Sequence, residues 1–221
     1  MQRRHHLLLG LLALAAAPAM ALSDGDAASG VRAALERGAA AAVGSLGKTD
    51  GFLGNPAVRI ELPGPLKDAA KLLRATGQGR KLDELETAMN RAAEQAVPEA
   101  RTLLLAAVRS ISVEDALQIV RGGDDAVTRF FETKTRTPLA QKFLPIVTRA
   151  TQKQQLADKY NAVAGKAAGF GLLRAEDANL QQYVTERALD GLYRMIGEEE
   201  KKIRQDPIGT GSAILKKVFG G

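Results

Sequence analysis

Leu180-Gln-Gln-Tyr-Val-Thr-Glu-Arg-Ala-Leu-Asp-Gly-Leu-Tyr-Arg-Met-Ile-Gly-Glu-Glu-Glu-Lys-Lys-Ile-Arg204 is the stretch on which the fold turns. Leu180, Tyr183, Val184, Leu192, Met195 and Ile196 recur at helical spacing, so a long helix carries one apolar stripe. Glu198 and Glu200 stand four residues before Lys202 and Arg204, an order that stabilises an exposed helix surface. Asp206-Pro207 then stops the helix. A stripe of this length is buried only by other helices, and the remaining sequence offers them.

Upstream, Leu139, Phe143, Ile146 and Ala150 keep the same period, and Leu156, Tyr160, Val163 and Ala167 continue it. Thr137-Pro138 is expected to open this region, Pro145 to kink or split it, and Gly165, Gly169 and Gly171 to loosen its end into a loop. After Gly122-Gly123, Asp124 reads as the N-cap of a helix whose core candidates are Val127, Phe130 and Phe131. Ser112 and Asp115 form a capping box that opens a helix running through Val120. A helix carries Leu103 to Val108 behind Pro98, and a strongly amphipathic one carries Leu82, Leu85, Met89, Ala92, Ala93 and Ala96. Shorter helices are expected over Leu66–Ala75 and around Ile214, Leu215, Val218 and Phe219. The alanine-rich Val31–Leu46 helix follows a loose start over residues 22–28.

One segment breaks the helical pattern. Val58, Ile60 and Leu62 alternate with Arg59 and Glu61 between the loop Lys48–Pro56 and Pro63-Gly-Pro65. A lone strand has no partner, so the segment either lies across helices or pairs with another chain. With aromatic residues at 4% and Ala, Leu, Lys, Arg and Glu dominant, the class is all-α. The expected architecture is a signal peptide over 1–21 and a single compact multi-helix domain over 22–221, with one short extended segment at about 57–63.

The amino end has the three zones of a secretory signal: Arg3 and Arg4, the apolar run Leu7–Ala17, and the small-x-small site Ala19-Met20-Ala21. The run is shorter than the roughly 20 residues a transmembrane helix needs, and no later stretch is long enough. Cleavage after Ala21 and a periplasmic location follow as expectations. Cleavage also removes His5 and His6, the only histidines, from a chain without cysteine. The mature protein then has no imidazole and no thiol for a Ser-His-Asp triad, a Cys-His pair or a nitrogen- or sulfur-ligated zinc site. No cofactor is implied, and non-catalytic binding is favoured over enzymatic turnover.

The formal charge is +6. The basic side chains concentrate late: Arg129–Arg174 holds nine of them against Glu132 and Asp158. Export argues against nucleic acid and toward an envelope protein, a lipid or an anionic polymer as partner, beside the plain reading of a solvated helix face. The leading expectation is an exported helical protein that binds an envelope macromolecule or anionic surface. One alternative is a periplasmic carrier of an apolar small molecule or lipid. Another is a carboxylate-based cell-wall hydrolase, for which the chain lacks an aromatic-rich sugar cleft.

Gly51-Phe-Leu-Gly-Asn-Pro-Ala-Val-Arg-Ile60, Glu84-Leu-Glu-Thr-Ala-Met-Asn-Arg-Ala-Ala-Glu94, Gly122-Gly-Asp-Asp-Ala126, Lys142-Phe-Leu-Pro145 and Tyr160-Asn-Ala-Val-Ala-Gly-Lys166 together resemble the uncharacterised bacterial envelope family catalogued as domain of unknown function 4197. The resemblance runs from about Leu22 to the C-terminus. It implies a signal peptide followed by one helical domain, and it supplies no activity and no catalytic residues.

Two polar groupings stand out as candidate sites. Glu86, Asn90 and Glu94 recur every four residues, with Arg91 beside them, and form a polar recognition face or metal ligands; the plain alternative is a solvated face opposite Leu85 and Met89. Asn90 argues for a bonded role, because asparagine inside a helix is costly unless its amide bonds something. Lys142, Arg149 and Lys153 are spaced to form an anion-binding stripe, with Pro145 interrupting it and solvation as the alternative. Asp124-Asp125 lacks the ligand series of a calcium loop, and Gly165–Gly171 lacks the strand that precedes a phosphate-binding loop.

Overall fold

The computed structural model describes residues 24–64, 67–68, 74–75, 77, 79–152, 156–171 and 175–206. The signal peptide, most of the Leu66–Ala75 helix, Lys153 and the helix expected around Ile214–Phe219 lie outside the described residues.

The fold is a compact bundle of helices: α1 (Asp24–Leu46), α2 (Arg80–Ala96), α3 (Ala100–Arg109), α4 (Val113–Arg121), α5 (Ala126–Gln152), α6 (Leu156–Gly169) and α7 (Leu180–Gln205). Short 3₁₀ turns at Val97–Glu99 and Ala175–Ala178 join α2 to α3 and lead into α7. The two longest apolar stripes meet each other: α5 and α7 form the central pair, α1 covers α7, α3 and α4, and α2 packs against α5 and α7. Leu35, Leu46, Phe131, Leu139, Phe143, Leu189 and Leu192 are all but completely buried between them. Among the described residues there is no β-strand, and no helix is long and apolar enough to cross a membrane.

Three local expectations are corrected. Residues 24–28 are helical, because Ala28 sits on the same buried stripe as Val31 and Leu35 and extends α1 toward its N-terminus. Thr137-Pro138 does not open a helix, and Pro145 does not split one: α5 runs through both prolines. The carbonyls that lose an amide donor belong to Lys134 and Gln141, both exposed, so water replaces the missing bonds at little cost. The buried residues of α5 (Val127, Phe131, Thr135, Leu139, Phe143, Val147, Thr151) recur every fourth position. At 3.6 residues per turn such a stripe winds around the axis, which lets one helix face several neighbours along its length.

The start of α5 is the third correction. Its cap position is Asp125, whose carbonyl accepts from Arg129 N at 2.9 Å, and not Asp124. The free amides of Val127 and Thr128 are taken by the Glu200 carboxylate of α7, each at 3.2 Å. Glu200 is 4% exposed, so it is not part of a solvated ladder. Arg204 neutralises it at 3.0 Å and donates to the carbonyl of Ile119 at the end of α4, also at 3.0 Å. One buried ion pair thus satisfies the helix ends on both sides of the Gly122-Gly123 turn. The capping box of α4 forms as the sequence implies, with Asp115 N donating to Ser112 Oγ and Ser112 N donating to the Asp115 carboxylate, both at 3.0 Å.

The α5–α7 seam carries a polar node. Arg136 donates to Glu132 at 2.7 Å, Glu186 at 2.8 Å and Asp190 at 2.6 Å. Its guanidinium lies 5.8 Å from the ring centre of Tyr193. Thr135 Oγ1 donates to the Phe131 carbonyl at 2.6 Å, which uses its only proton, so the 2.9 Å contact is donated by the Tyr193 hydroxyl. Burial pushes the Tyr193 phenol up to about 12.

The Val58–Leu62 segment is extended and packs on the helices. Val58, Ile60 and Leu62 are buried, while Arg59 and Glu61 face outward. The Tyr183 hydroxyl of α7 donates to the Glu61 carbonyl at 2.8 Å. Just upstream, Phe52 is fully buried against Gly191 of α7, where an added Cβ would come within 2.6 Å of the phenyl ring.

Two outcomes test this packing. Gly191→Ala should lower the free energy of unfolding by about 1–3 kcal/mol in a denaturant titration, because α7 must move off Phe52. An unchanged midpoint would contradict the close approach. In alkali, the native fold resists ionising Tyr193, whose folded pKa exceeds the unfolded value. Its contribution is present below about pH 10 and disappears as pH rises through about 12, a loss on the order of 2 kcal/mol. Tyr193→Phe should flatten that fall in stability, measured alongside tyrosinate absorbance.

Candidate functional site

The row on α2 comes first, because it controls how the extended segment is held. Glu86, Asn90 and Glu94 share one face at helical spacing, and all three are buried, at 6%, 0% and 5% exposure. That excludes the solvated-face alternative for these residues. The face does recognise a polar partner, and the partner is the chain itself. Glu94 Oε1 accepts from the backbone amides of Phe52 at 3.0 Å and Leu53 at 3.1 Å. Its other oxygen meets Arg91 at 2.6 Å, and Arg91 continues to Asp50 at 2.8 Å. These bonds, to Glu94 first and Asp50 second, raise the Arg91 pKa. Asp50 has a φ of 64°, a left-handed turn that aspartate tolerates better than bulkier residues.

Asn90 treats Ile60 as a neighbouring strand would. Its Oδ1 accepts from Ile60 N and its Nδ2 donates to Ile60 O, both at 2.9 Å, with a further bond to the Glu86 carbonyl at 2.7 Å. Glu86 in turn faces Arg74 at 2.9 Å and Arg59 at 3.6 Å. The carboxylates are therefore occupied as acceptors of amide and guanidinium protons. Such a row has the chemistry of a clamp, with no free acid to protonate a leaving group. Among the described residues no three potential metal ligands converge.

The second grouping lies on the outer side of α5. Lys142 and Arg149 are both exposed, seven residues apart on a helix that continues through Pro145, so they share a face. Lys134 is exposed on the same side, and α5 carries no acidic residue after Glu132. Arg129 and Arg136 belong to the basic stretch in sequence but not to this face: each is paired, Arg129 with Asp125 at 2.8 Å and Arg136 in the seam.

A third feature is formed by residues that spacing did not single out. A cleft of about 410 Å³ opens between residues 57–64 and α7, walled by Arg59 and Glu61 on one side and Tyr183, Arg187, Asp190 and Arg194 on the other. The signal was present in the seven-residue interval between Arg187 and Arg194, but it acquires meaning only once the extended segment supplies an opposing wall. By contrast, the apolar cavity among Leu35, Gly38, Val127, Ile196 and Ile203 has a volume of about 20 Å³. That space holds about one water molecule, so this cavity has no room for a lipid chain.

Replacing Asn90 with alanine strips partners from both polar groups of Ile60. It should cost about 2–4 kcal/mol and expose residues 50–62 to limited proteolysis. Glu94→Gln keeps an acceptor oxygen for the two amides and should cost less. Equal protease resistance in all three proteins would show that the clamp does not hold the segment.

The match to the family described as Protein of unknown function (DUF4197) covers residues 21–220, and the chain belongs to that family. No curated protein and no solved structure matches it.

Proposed function

We propose that this member of the DUF4197 family is an exported, non-catalytic binding protein of the bacterial envelope, and that it docks an anionic surface through the outer face of α5. The observation that carries the reading is the juxtaposition of exposed Lys142 and Arg149 on one uninterrupted, acid-free helix face. Positive charge on such a face attracts phospholipid headgroups or anionic polymers within a Debye length, roughly 8–10 Å at physiological salt. Export is supported by the N-terminal charge, the short apolar run and the Ala19-Met20-Ala21 site. Pro138 and Pro145 lie on the same side and leave carbonyls turned toward solvent, which suits a wetted surface better than a dry protein core.

The alternative of a carrier for apolar molecules draws no support from the 20 Å³ cavity. The hydrolase alternative would need Glu86 or Glu94 to exchange protons with a substrate, and both are engaged by backbone amides or arginines.

Co-sedimentation with vesicles tests the reading, using mature protein recovered from a periplasmic fraction with Leu22 as its first residue. Binding to phosphatidylglycerol vesicles should exceed binding to phosphatidylcholine vesicles and fall with added salt. The double substitution Lys142→Glu with Arg149→Glu should weaken it roughly 10- to 100-fold, since each basic residue near such a surface contributes about 1 kcal/mol. Retention of residues 1–21 on a cytoplasmic product would overturn the export half, and wild-type affinity in the double variant would overturn the surface.

A further inference from the structure

We infer that the cleft between residues 57–64 and α7 is a separate binding site for a small phosphorylated ligand, with Arg187 and Arg194 as its principal contacts. The charge balance of its walls points there. Asp190 is already matched by Arg136 at 2.6 Å and Arg187 at 3.0 Å, and Glu61 is paired with Lys67. Glu86, the acid nearest Arg59, is held closer by Arg74. The acids on the walls are therefore neutralised from within the protein, whereas Arg194 is exposed and forms no ion pair among the described residues. Arg187 also has an unused donor: its Nε is buried without a hydrogen-bond partner. That nitrogen is enclosed, and the exposed remainder of the side chain is what lines the cleft.

The wall is built to keep these donors in place. The Arg187 guanidinium lies 5.4 Å from the ring centre of Tyr183, and Tyr183 is in turn tied to the opposite wall through the Glu61 carbonyl at 2.8 Å. Asp190 restrains Arg187 from the other side. A guanidinium fixed in this way presents its planar fork to two oxygens at once, which suits phosphate better than a spherical ion. Arg194 follows two helical turns later, about 10 Å along the axis, and brackets the cleft from its other end. A volume of about 410 Å³ admits a ligand of sugar-phosphate size or the headgroup of a phospholipid, which share the phosphomonoester or phosphodiester as the recognised group.

Calorimetric titration of the mature protein with inorganic phosphate and with glucose 6-phosphate, at low ionic strength, tests the site. Saturable binding is expected, tighter for the sugar phosphate, and Arg194→Gln should weaken it at least about tenfold, as for loss of a charge-assisted bond. Arg194 is exposed, so that variant should keep the wild-type unfolding midpoint. Arg187→Lys keeps the charge but loses the fork and should weaken binding by a similar factor. Vesicles bearing phosphatidic acid separate the two sources: if only they bind, and Arg194→Gln abolishes the binding, the ligand is a lipid headgroup. The Lys142→Glu, Arg149→Glu protein should bind glucose 6-phosphate normally, which separates this site from the α5 surface. Absence of binding to all three probes, or equal binding by wild type and Arg194→Gln, would overturn the inference.

Discussion

The buried backbone of residues 50–62 sets the terms for this fold. Turns within the segment satisfy Gly54, Asn55, Val58 and Arg59, and the amides and carbonyls left over in the apolar interface need partners from elsewhere. Here one face of α2 supplies them. Glu94 receives two consecutive amides, Asn90 brackets Ile60 on both its polar groups, and Tyr183 closes the carbonyl of Glu61 from α7. Once these bonds are made, Phe52, Val58, Ile60 and Leu62 can fill the gap between α2 and α7. Without them, burying those four side chains would strand several polar groups in the core. The clamp and the apolar contacts therefore depend on each other, and the cleft exists because the clamped segment forms its outer wall.

Much of this was legible because it rests on local periodicity. The bounds of α7, the amphipathic α2, the Ser112–Asp115 box and the buried alternation of Val58, Ile60 and Leu62 are all short-range patterns. The family relationship also follows from short motifs spread along the chain. What escaped a local reading depends on distant partners. Glu200 has the spacing of a surface ion pair, and only the arrival of the α5 N-terminus beside it makes it a buried cap. Glu86 and Glu94 look like solvated carboxylates until the 50–62 segment covers them. Asn90 was the one warning, since a helix does not readily keep an asparagine whose amide has nothing to bond.

The prolines of α5 teach a related lesson. A proline is read as a break because it removes a bond and crowds the preceding turn. In α5 the freed carbonyls belong to the exposed Lys134 and Gln141, while Phe131, Leu139 and Phe143 of the same helix are fully buried. Tertiary burial outweighs local propensity, and the helix continues through both prolines. Lys142 and Arg149 sit at exposed positions of the same helix.

The remote cap on α5 has a further consequence for the order in which the molecule is assembled. Val127 and Thr128 wait for a carboxylate that lies more than 70 residues further along the chain. Ribosomes release the amino end first, so α4 and α5 emerge with their facing termini unsatisfied. Contacts of such long sequence separation form late, because the intervening chain must first be confined. The helix α7 thus works as a keystone. In the folded molecule α7 both caps the two helix ends flanking the Gly122-Gly123 turn and supplies one wall of the cleft.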